Sequence, residues 1–239
     1  MSILGHLEPT NVFRFFEEIC NIPHGSGNMD KISNYLVEFA KERKLEYYQD
    51  EIKNVIIIKE ATAGYENKEP IMLQGHMDMV AVKKPDSTID MAAEGLRLKV
   101  DGDIVYAQDT SLGGDDGIAV AYELALLDAD HLSHPRLECI FTVDEEVGLN
   151  GAAAIDLSVC KAKRMLNLDS EEEGIFLTGC AGGMRVDCSL PLKREAKDGA
   201  LCEVHIGGLT GGHSGAEIHK ERARCILTAG INNNSKRKC

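Results

Sequence analysis

The sequence predicts an α/β protein, layered around a largely parallel sheet. Apolar residues recur at helical spacing in residues 11–20, from Asp30 onward and in residues 118–128. Between these segments lie apolar runs typical of buried strands, at residues 55–58, 71–73, 137–143 and 165–168. This alternation of strands and helices favours a sheet whose strands are joined by helical crossovers.

A different pattern begins near residue 184. Residues 184–192 and 200–206 have the composition of strands, and no helical pattern separates them, which indicates an α+β unit. The sequence therefore predicts a larger domain over residues 1–183 and a second, smaller domain over residues 184–239. Within the larger domain, residues 96–105 alternate in polarity around Asp101-Gly102-Asp103, which predicts a hairpin.

Composition argues against several classes of function. The chain has 239 residues and a formal net charge of −13. Because such a surface repels phosphates, we expect neither nucleic acid nor a membrane as a partner. No apolar run approaches the roughly 20 residues of a membrane span, and residues 1–9 lack the basic start of a secretory signal. The eight cysteines form no CxxC pair, so we expect reduced thiols in a cytoplasmic protein.

Acidic and histidine side chains stand where predicted strands end or where a predicted helix begins. In open α/β sheets, ligands gather beyond the carboxyl ends of the strands, so these side chains are expected to converge. Four positions share this placement: His76-x-Asp78, Asp115-Asp116, Glu145-Glu146 and Asp169.

Each motif alone is common on protein surfaces, as an ion pair, a glycine-rich turn or a solvated helix start. Their joint placement after apolar strands favours a metal site, because a buried carboxylate without a cation is unfavourable. One imidazole with several carboxylates suits zinc, and manganese or cobalt can occupy similar oxygen-rich sites. Two metals about 3.5–4 Å apart need a bridging carboxylate. Asp115 is placed for that role, since it lies in a glycine-flanked turn at a helix start.

The neighbouring residues fit supporting roles. On an extended segment, His76 and Asp78 lie on one face, so Asp78 can accept the second ring N–H of His76 and orient the ring. Adjacent Glu145 and Glu146 can divide the work. One would bind metal, and the other would act as a general base on a water molecule.

Five segments, taken in order along the chain, carry a family resemblance. They are LQGHMDMV at 73–80, TSLGGDDGI at 110–118, FTVDEEVG at 141–148, NLDSEE at 167–172 and GGLTGGHSGAEIH at 207–219. They resemble the M20 metallopeptidases, in particular the branch of aminoacyl-histidine (Xaa-His) dipeptidases. The resemblance extends from about residue 7 to about residue 219.

The resemblance implies a two-zinc enzyme that hydrolyses small peptides of the Xaa-His type. It implies that His76 and Asp169 hold one zinc ion and that Glu146 holds the other. Asp115 is then the bridging carboxylate.

The same resemblance implies roles for the remaining residues. Glu145 becomes the general base, and Asp78 orients His76. Residues 1–183 become an incomplete catalytic domain, and residues 184–239 become the start of a lid domain. His213 reaches toward the substrate from this lid, which can also form a homodimer.

The chain departs from this family in length. Such enzymes are roughly twice as long, and their chain returns from the lid to complete the catalytic domain. No histidine follows His219, so we expect a truncated chain in which the last histidine ligand of the second zinc is absent. Three hypotheses stay open: an Xaa-His dipeptidase impaired by truncation, an M20 hydrolase of N-acyl or carbamoyl amino acids, or an inactive metal-binding remnant.

Overall fold

A computed structural model describes residues 2–170, 173–179, 182, 187, 189–193, 198–199, 205–210, 218–220 and 222. The chain divides into two compact units, residues 1–176 and 177–239. The helices and strands described below belong to the first unit, and the second contains a 3₁₀ turn at Ile218–Lys220. The domain boundary predicted at residues 183–184 stays a prediction, because much of the segment that follows lies outside the described residues.

Two amphipathic helices open the chain, α1 (Thr10–Cys20) and α2 (Asp30–Glu42). They begin within one residue of the predicted starts. Their buried faces meet where the rings of Phe15 and Phe39 pack edge to face, with centroids 5.5 Å apart. The apolar spacing that predicted these helices is therefore the spacing that builds one wall of the core.

Five strands form the central sheet, in the order β1-β2-β6-β3-β7. Only β2 is antiparallel to its neighbours, so the other four strands run in one direction. This confirms the predicted α/β class with a largely parallel sheet. The strands are β1 (Glu46–Gln49), β2 (Val55–Lys59), β3 (Ile71–His76), β6 (Leu137–Thr142) and β7 (Met165–Asn167).

Both faces of the sheet are covered, which explains why its central strands are continuously apolar. In β2, Val55 and Ile57 face the main core with the helices, whereas Ile56 and Ile58 face a smaller cluster. Residues 155–162 contribute the cover of that second face. Alternation along each strand therefore places successive side chains in two different apolar layers.

The predicted hairpin is present. Strands β4 (Leu98–Asp101) and β5 (Ile104–Ala107) pair antiparallel, with Asp101 opposite Ile104. Gly102 lies in the turn with a φ of +57°, a value that glycine adopts without strain.

Helix α3 (Gly114–Asp128) is fixed at its C-terminal end by charges. Lys59 donates hydrogen bonds to the carbonyl oxygens of Leu127 and Ala129 at 2.9 and 2.6 Å. A cation at this end satisfies carbonyl groups that lack partners within the helix and favours the helix dipole. These contacts hold the helix whose other end carries Asp115.

Two short elements were absent from the sequence prediction, β1 and α4 (Asn150–Ala154). Strand β1 is largely exposed and polar, and α4 spans five residues, so neither has a clear periodic pattern. Of the strands predicted at 184–192 and 200–206, the described residues 187, 189–192 and 205–206 lie in neither helix nor strand. The rest of those segments lies outside the described residues.

Three parallel strands end at one edge of the sheet. His76 at the end of β3 pairs with Thr142 at the end of β6, and Gln74 pairs with Asn167 at the end of β7. The segments that follow these strands therefore start side by side, as the strand pattern predicted. None of the described helices is both long and apolar enough to cross a membrane.

Glu123 is a charged residue type in the core. It lies on α3 fully buried, and within the described residues neither carboxylate oxygen makes a hydrogen bond of ordinary geometry. Burial, and next the nearby charge of Asp116, raise the pKa of Glu123 well above its usual range, although the Cys139 thiol and the backbone N–H of Ile140, which approach the carboxylate, act in the other direction. The folded protein therefore holds Glu123 neutral over a pH range in which the unfolded chain ionises it.

This burial predicts a pH-dependent instability that Glu123→Met removes. An acid whose pKa is raised by folding has no destabilising effect below its unfolded pKa, near 4.5, and lowers stability as the pH rises above it. We expect the free energy of unfolding of the Met variant at pH 7 to be about 1–3 kcal/mol higher than that of the wild type, since an unpaired buried carboxyl is replaced by an apolar side chain. Urea unfolding between pH 4 and pH 8 measures this.

The matched control is Glu123→Gln, which removes the titration but keeps an unpaired polar group. Its advantage over the wild type should grow with pH yet remain smaller than that of the Met variant. A Met variant less stable than the wild type at pH 7 would contradict this description of Glu123.

Candidate metal centre

His76 is the centre of the cluster at the carboxyl edge of the sheet. Its ring is 1% exposed, and its Nδ1–H donates to the backbone carbonyl of Asp78 at 3.0 Å, with Asp78 Oδ1 at 3.4 Å. Nε2 points away from the strand and lies 2.9 Å from Asp115 Oδ1. The predicted orienting contact from Asp78 is thus present, although the backbone oxygen lies nearer than the carboxylate.

Carboxylates surround this ring, and their charge decides its protonation in the metal-free protein. Burial acts to lower the pKa of His76, but the hydrogen bond to Asp78 and the charges of Asp116 and Asp78 outweigh it and raise the pKa to about 10. The ring nitrogen that faces Asp115 is Nε2. It would bind a metal cation only without a proton, since a metal ligand must present a free lone pair.

Asp78 is buried and accepts several hydrogen bonds. Its Oδ1 receives the backbone N–H of Glu145 at 3.0 Å, and its Oδ2 receives the hydroxyl of Ser26 at 2.8 Å. The N–H of Glu146 lies 3.4 Å from Oδ2. Burial acts to raise the pKa of Asp78, but the hydrogen bonds from His76, Glu145 and Ser26 lower it overall, so the carboxylate stays charged.

The non-helical start of α3 brings two aspartates to the same ring. Gly113 has a φ of +69°, and a Cβ there would lie 2.8 Å from Met79 Sδ, so the position requires glycine. Asp115 has a half-exposed side chain facing His76 Nε2. Asp116, joined to it by a cis peptide bond, is buried and accepts the backbone N–H of His76 at 3.2 Å.

Asp116 is an additional candidate ligand that the residue-by-residue assignment left out. Burial, and next the charge of Asp169, raise the pKa of Asp116 to about 7. Two sets of potential ligand atoms lie within 4.8 Å of one another: His76 with Asp116 and Asp169, and His76 with Glu145 and Glu146. Both sets share His76, so the geometry places two groups of ligands around one imidazole.

Glu145 and Asp169 approach the ring from different strands. Glu145 Oε2 and Asp169 Oδ2 each lie 4.0 Å from His76 Nε2. Burial raises the pKa of Glu145 and of Glu146, and neighbouring acids add to both shifts. Part of each pKa shift therefore comes from the other acids of the cluster.

The loop of residues 144–149 carries both glutamates and is held at each end. Gly27 donates its N–H to Asp144 Oδ1 at 2.7 Å. The buried side chain of Asn54 spans both ends, because it accepts the N–H of Val143 at 3.0 Å before the loop and donates to the carbonyl of Gly151 at 3.1 Å after it. Neither Ser26 nor Asn54 belongs to a motif, and the sequence offered no signal for them.

The structure thus brings six of the predicted site residues together, and their chemistry fits a divalent metal. One imidazole nitrogen and several carboxylate oxygens are the ligands zinc prefers, and a cation would relieve the mutual repulsion of the acids. His213, predicted to contact substrate from the lid, lies outside the described residues. The six residues are His76, Asp78, Asp115, Glu145, Glu146 and Asp169.

Two of three comparisons with known proteins relate this chain to peptidases. No model of a known protein family matches the chain. The cytosol non-specific dipeptidase of Escherichia coli is 40% identical over 221 residues, which cover 92% of this chain and 46% of that protein. The aminoacylhistidine dipeptidase of Vibrio alginolyticus superposes with a TM-score of 0.70 at 38% identity, over 72% of this chain and 35% of that one.

The chain is therefore similar to the N-terminal part of these dipeptidases. This confirms the family resemblance on which the sequence assignment was based. A Staphylococcus aureus tripeptidase shares the fold, with a TM-score of 0.58 at 24% identity over 70% of this chain and 45% of that one. The chain spans less than half the length of the E. coli relative it matches.

Asn54 should be the residue that fixes the 144–149 loop to the sheet. Asn54→Asp keeps the shape but removes the N–H donors to Gly151 and Asp50, and it places a second carboxylate beside Asp50. We expect the free energy of unfolding to fall by about 2–4 kcal/mol, since a buried carbonyl loses its partner and two acids are brought together. Urea unfolding at pH 7 measures this.

Asn34→Asp is the control, because Asn34 is exposed and its side-chain oxygen acts only as a weak acceptor from Gln49. Its stability should stay within about 0.5 kcal/mol of the wild type. Equal unfolding midpoints for the two variants would show that Asn54 has no special hold on the loop.

Proposed function

We propose that this chain carries the metal-binding half of a two-zinc dipeptidase that hydrolyses small peptides of the Xaa-His type. The observation that carries the proposal is the ring of carboxylates around His76 Nε2, each contributed by a segment that follows a different strand or begins α3. The relatives named as dipeptidases support the choice of substrate class.

The residues divide into ligands and supporting groups. His76 and Asp169 would hold one zinc ion, and Glu146 the other. Asp115 would be the ligand shared by the two ions in this proposal, since its half-exposed carboxylate lies 2.9 Å from His76 Nε2. Asp116 accepts the backbone N–H of His76 and would be a further ligand beside His76 and Asp169.

Bound zinc would supply positive charge that polarises the scissile carbonyl and favours deprotonation of water. Glu145 takes a proton from the attacking water and returns it to the leaving amine as the C–N bond breaks. Glu145 is partly exposed, and its backbone is fixed by Asp78 through the 3.0 Å hydrogen bond. Burial raises its pKa, which favours a carboxyl that can hold the proton between the two transfers.

The proposal also covers how substrate reaches the cluster, what the lid contributes and where the protein is located. Small peptides would reach the cluster from the side of Asp115 and Glu145, whose side chains are the more exposed. His213 would contact the substrate, and residues 184–239 would provide a lid through which two copies pair. The name of the E. coli relative supports a cytoplasmic location.

The proposal predicts that one variant loses zinc, whereas another keeps zinc and loses hydrolysis. His76→Ala should lose zinc because it removes the ligand shared by both sets, whereas Glu145→Gln should keep it. Glu145→Gln should lower hydrolysis of a Xaa-His dipeptide by about 10²–10⁴-fold, the usual contribution of a general base. Zinc per folded chain is measured after dialysis, and turnover is measured on the same sample.

Glu51→Gln is the matched control, because Glu51 is exposed on a turn remote in sequence from the cluster. It should match the wild type in both measurements. Zinc binding without turnover in the wild type would favour a metal-binding protein over a peptidase. Equal zinc content in the wild type and His76→Ala would disprove the metal centre itself.

A further inference from the structure

We propose that Ser26 is a positioning residue of the metal centre, acting through Asp78. Its hydroxyl fixes the carboxylate that orients His76 and holds the backbone of Glu145 and Glu146. The effect on metal binding rests on the function proposed above, whereas the effect on the loop of residues 144–149 does not.

The two oxygens of Asp78 have separate partners. Oδ1 receives the N–H of Glu145 at 3.0 Å and lies 3.4 Å from His76 Nδ1. Oδ2 receives the hydroxyl of Ser26 at 2.8 Å, while the N–H of Glu146 is a longer 3.4 Å away. Ser26 therefore makes the shortest hydrogen bond to Oδ2 in the described part of the chain and limits rotation of the carboxylate.

The backbone around Ser26 is held independently of this hydroxyl. Ser26 donates its N–H to the carbonyl of Met79, and Met79 donates to the carbonyl of His24, each at 3.1 Å. A Cβ at Gly25 would lie 2.6 Å from the Cβ of Ala81, so Gly25 packs directly against the Ala81 side chain and leaves no room for a larger residue. Ser26 is thus aimed at Asp78 by main-chain contacts, which an alanine at position 26 would retain.

The same loop also contacts the loop of residues 144–149, which carries Glu145 and Glu146. Gly27, the next residue, donates its N–H to Asp144 Oδ1 at 2.7 Å. Residues 26 and 27 therefore connect the segment that carries His76 to the loop that carries Glu145. A hydroxyl suits this place because it donates a hydrogen bond without altering the charge of the cluster.

Loss of the hydroxyl should make both the His76 ring and the loop of residues 144–149 less well fixed. In Ser26→Ala, Asp78 loses its short bond at Oδ2, so the carboxylate can rotate away from the N–H groups of Glu145 and Glu146. We expect Co²⁺ to bind about 10–100-fold more weakly, which is the usual effect of removing a residue that orients a metal ligand through hydrogen bonds. The visible absorption of bound Co²⁺ should also change shape, since it follows ligand geometry.

The experiment compares the full chain with three variants. Ser26→Thr keeps a hydroxyl and should restore Co²⁺ affinity and spectrum to near the wild-type values. Ser158→Ala is the matched control, because Ser158 also hydrogen-bonds a carboxylate, that of Asp156, at an exposed site. It should leave both measurements unchanged.

A second measurement needs no metal. In the metal-free protein, hydrogen exchange of the Glu145 and Glu146 amides should be about tenfold faster or more in Ser26→Ala, because their acceptor is no longer fixed. Unchanged exchange at these amides would overturn the role of Ser26, and so would a threonine variant that behaves like alanine. A wild type that binds no Co²⁺ would disprove the proposed function, and the exchange result would still decide the role of Ser26.

Discussion

The buried carboxylate of Asp78 connects the two segments that form the candidate metal centre, the end of β3 with His76 and the loop of residues 144–149. It lies beneath His76 on one side and accepts the backbone N–H of Glu145 on the other, so one charged group sets both the imidazole and the glutamate loop. A charge with almost no solvent exposure persists only when hydrogen bonds replace its lost hydration. Removing those donors would therefore disturb the placement of the ligands before it disturbed the sheet.

The sheet supplies the other requirement, which is convergence. Because β3, β6 and β7 are parallel and adjacent, the residues that follow them emerge at one edge. Apolar side chains on both faces fix the register of these strands, and Lys59 fixes the far end of α3. The centre is thus built on rigid elements, and the repulsion among its acids is tolerated because the surrounding packing holds them in place.

The fold class and the identities of the clustered residues could be predicted from the sequence because both depend on short-range patterns. Buried strands leave continuous apolar runs, and the side chains that follow them are read directly from the chain. Ser26 and Asn54 could not be predicted, since their side chains act through hydrogen bonds to residues far away in the sequence, 52 positions for Ser26 and as many as 97 for Asn54. The different environments of Asp115 and Asp116 also required the structure, because they depend on the non-helical backbone of these two residues at the start of α3.

The crystal structure of the zinc-loaded chain, with anomalous diffraction at the zinc edge, tests the central claim most directly. The claim predicts an anomalous peak about 2.0–2.2 Å from His76 Nε2 and from carboxylate oxygens of the surrounding acids. It also predicts that Asp78 keeps its contacts with the N–H groups of Glu145 and Glu146. A peak elsewhere, or a His76 Nε2 still paired only with Asp115 at saturating zinc, would contradict it.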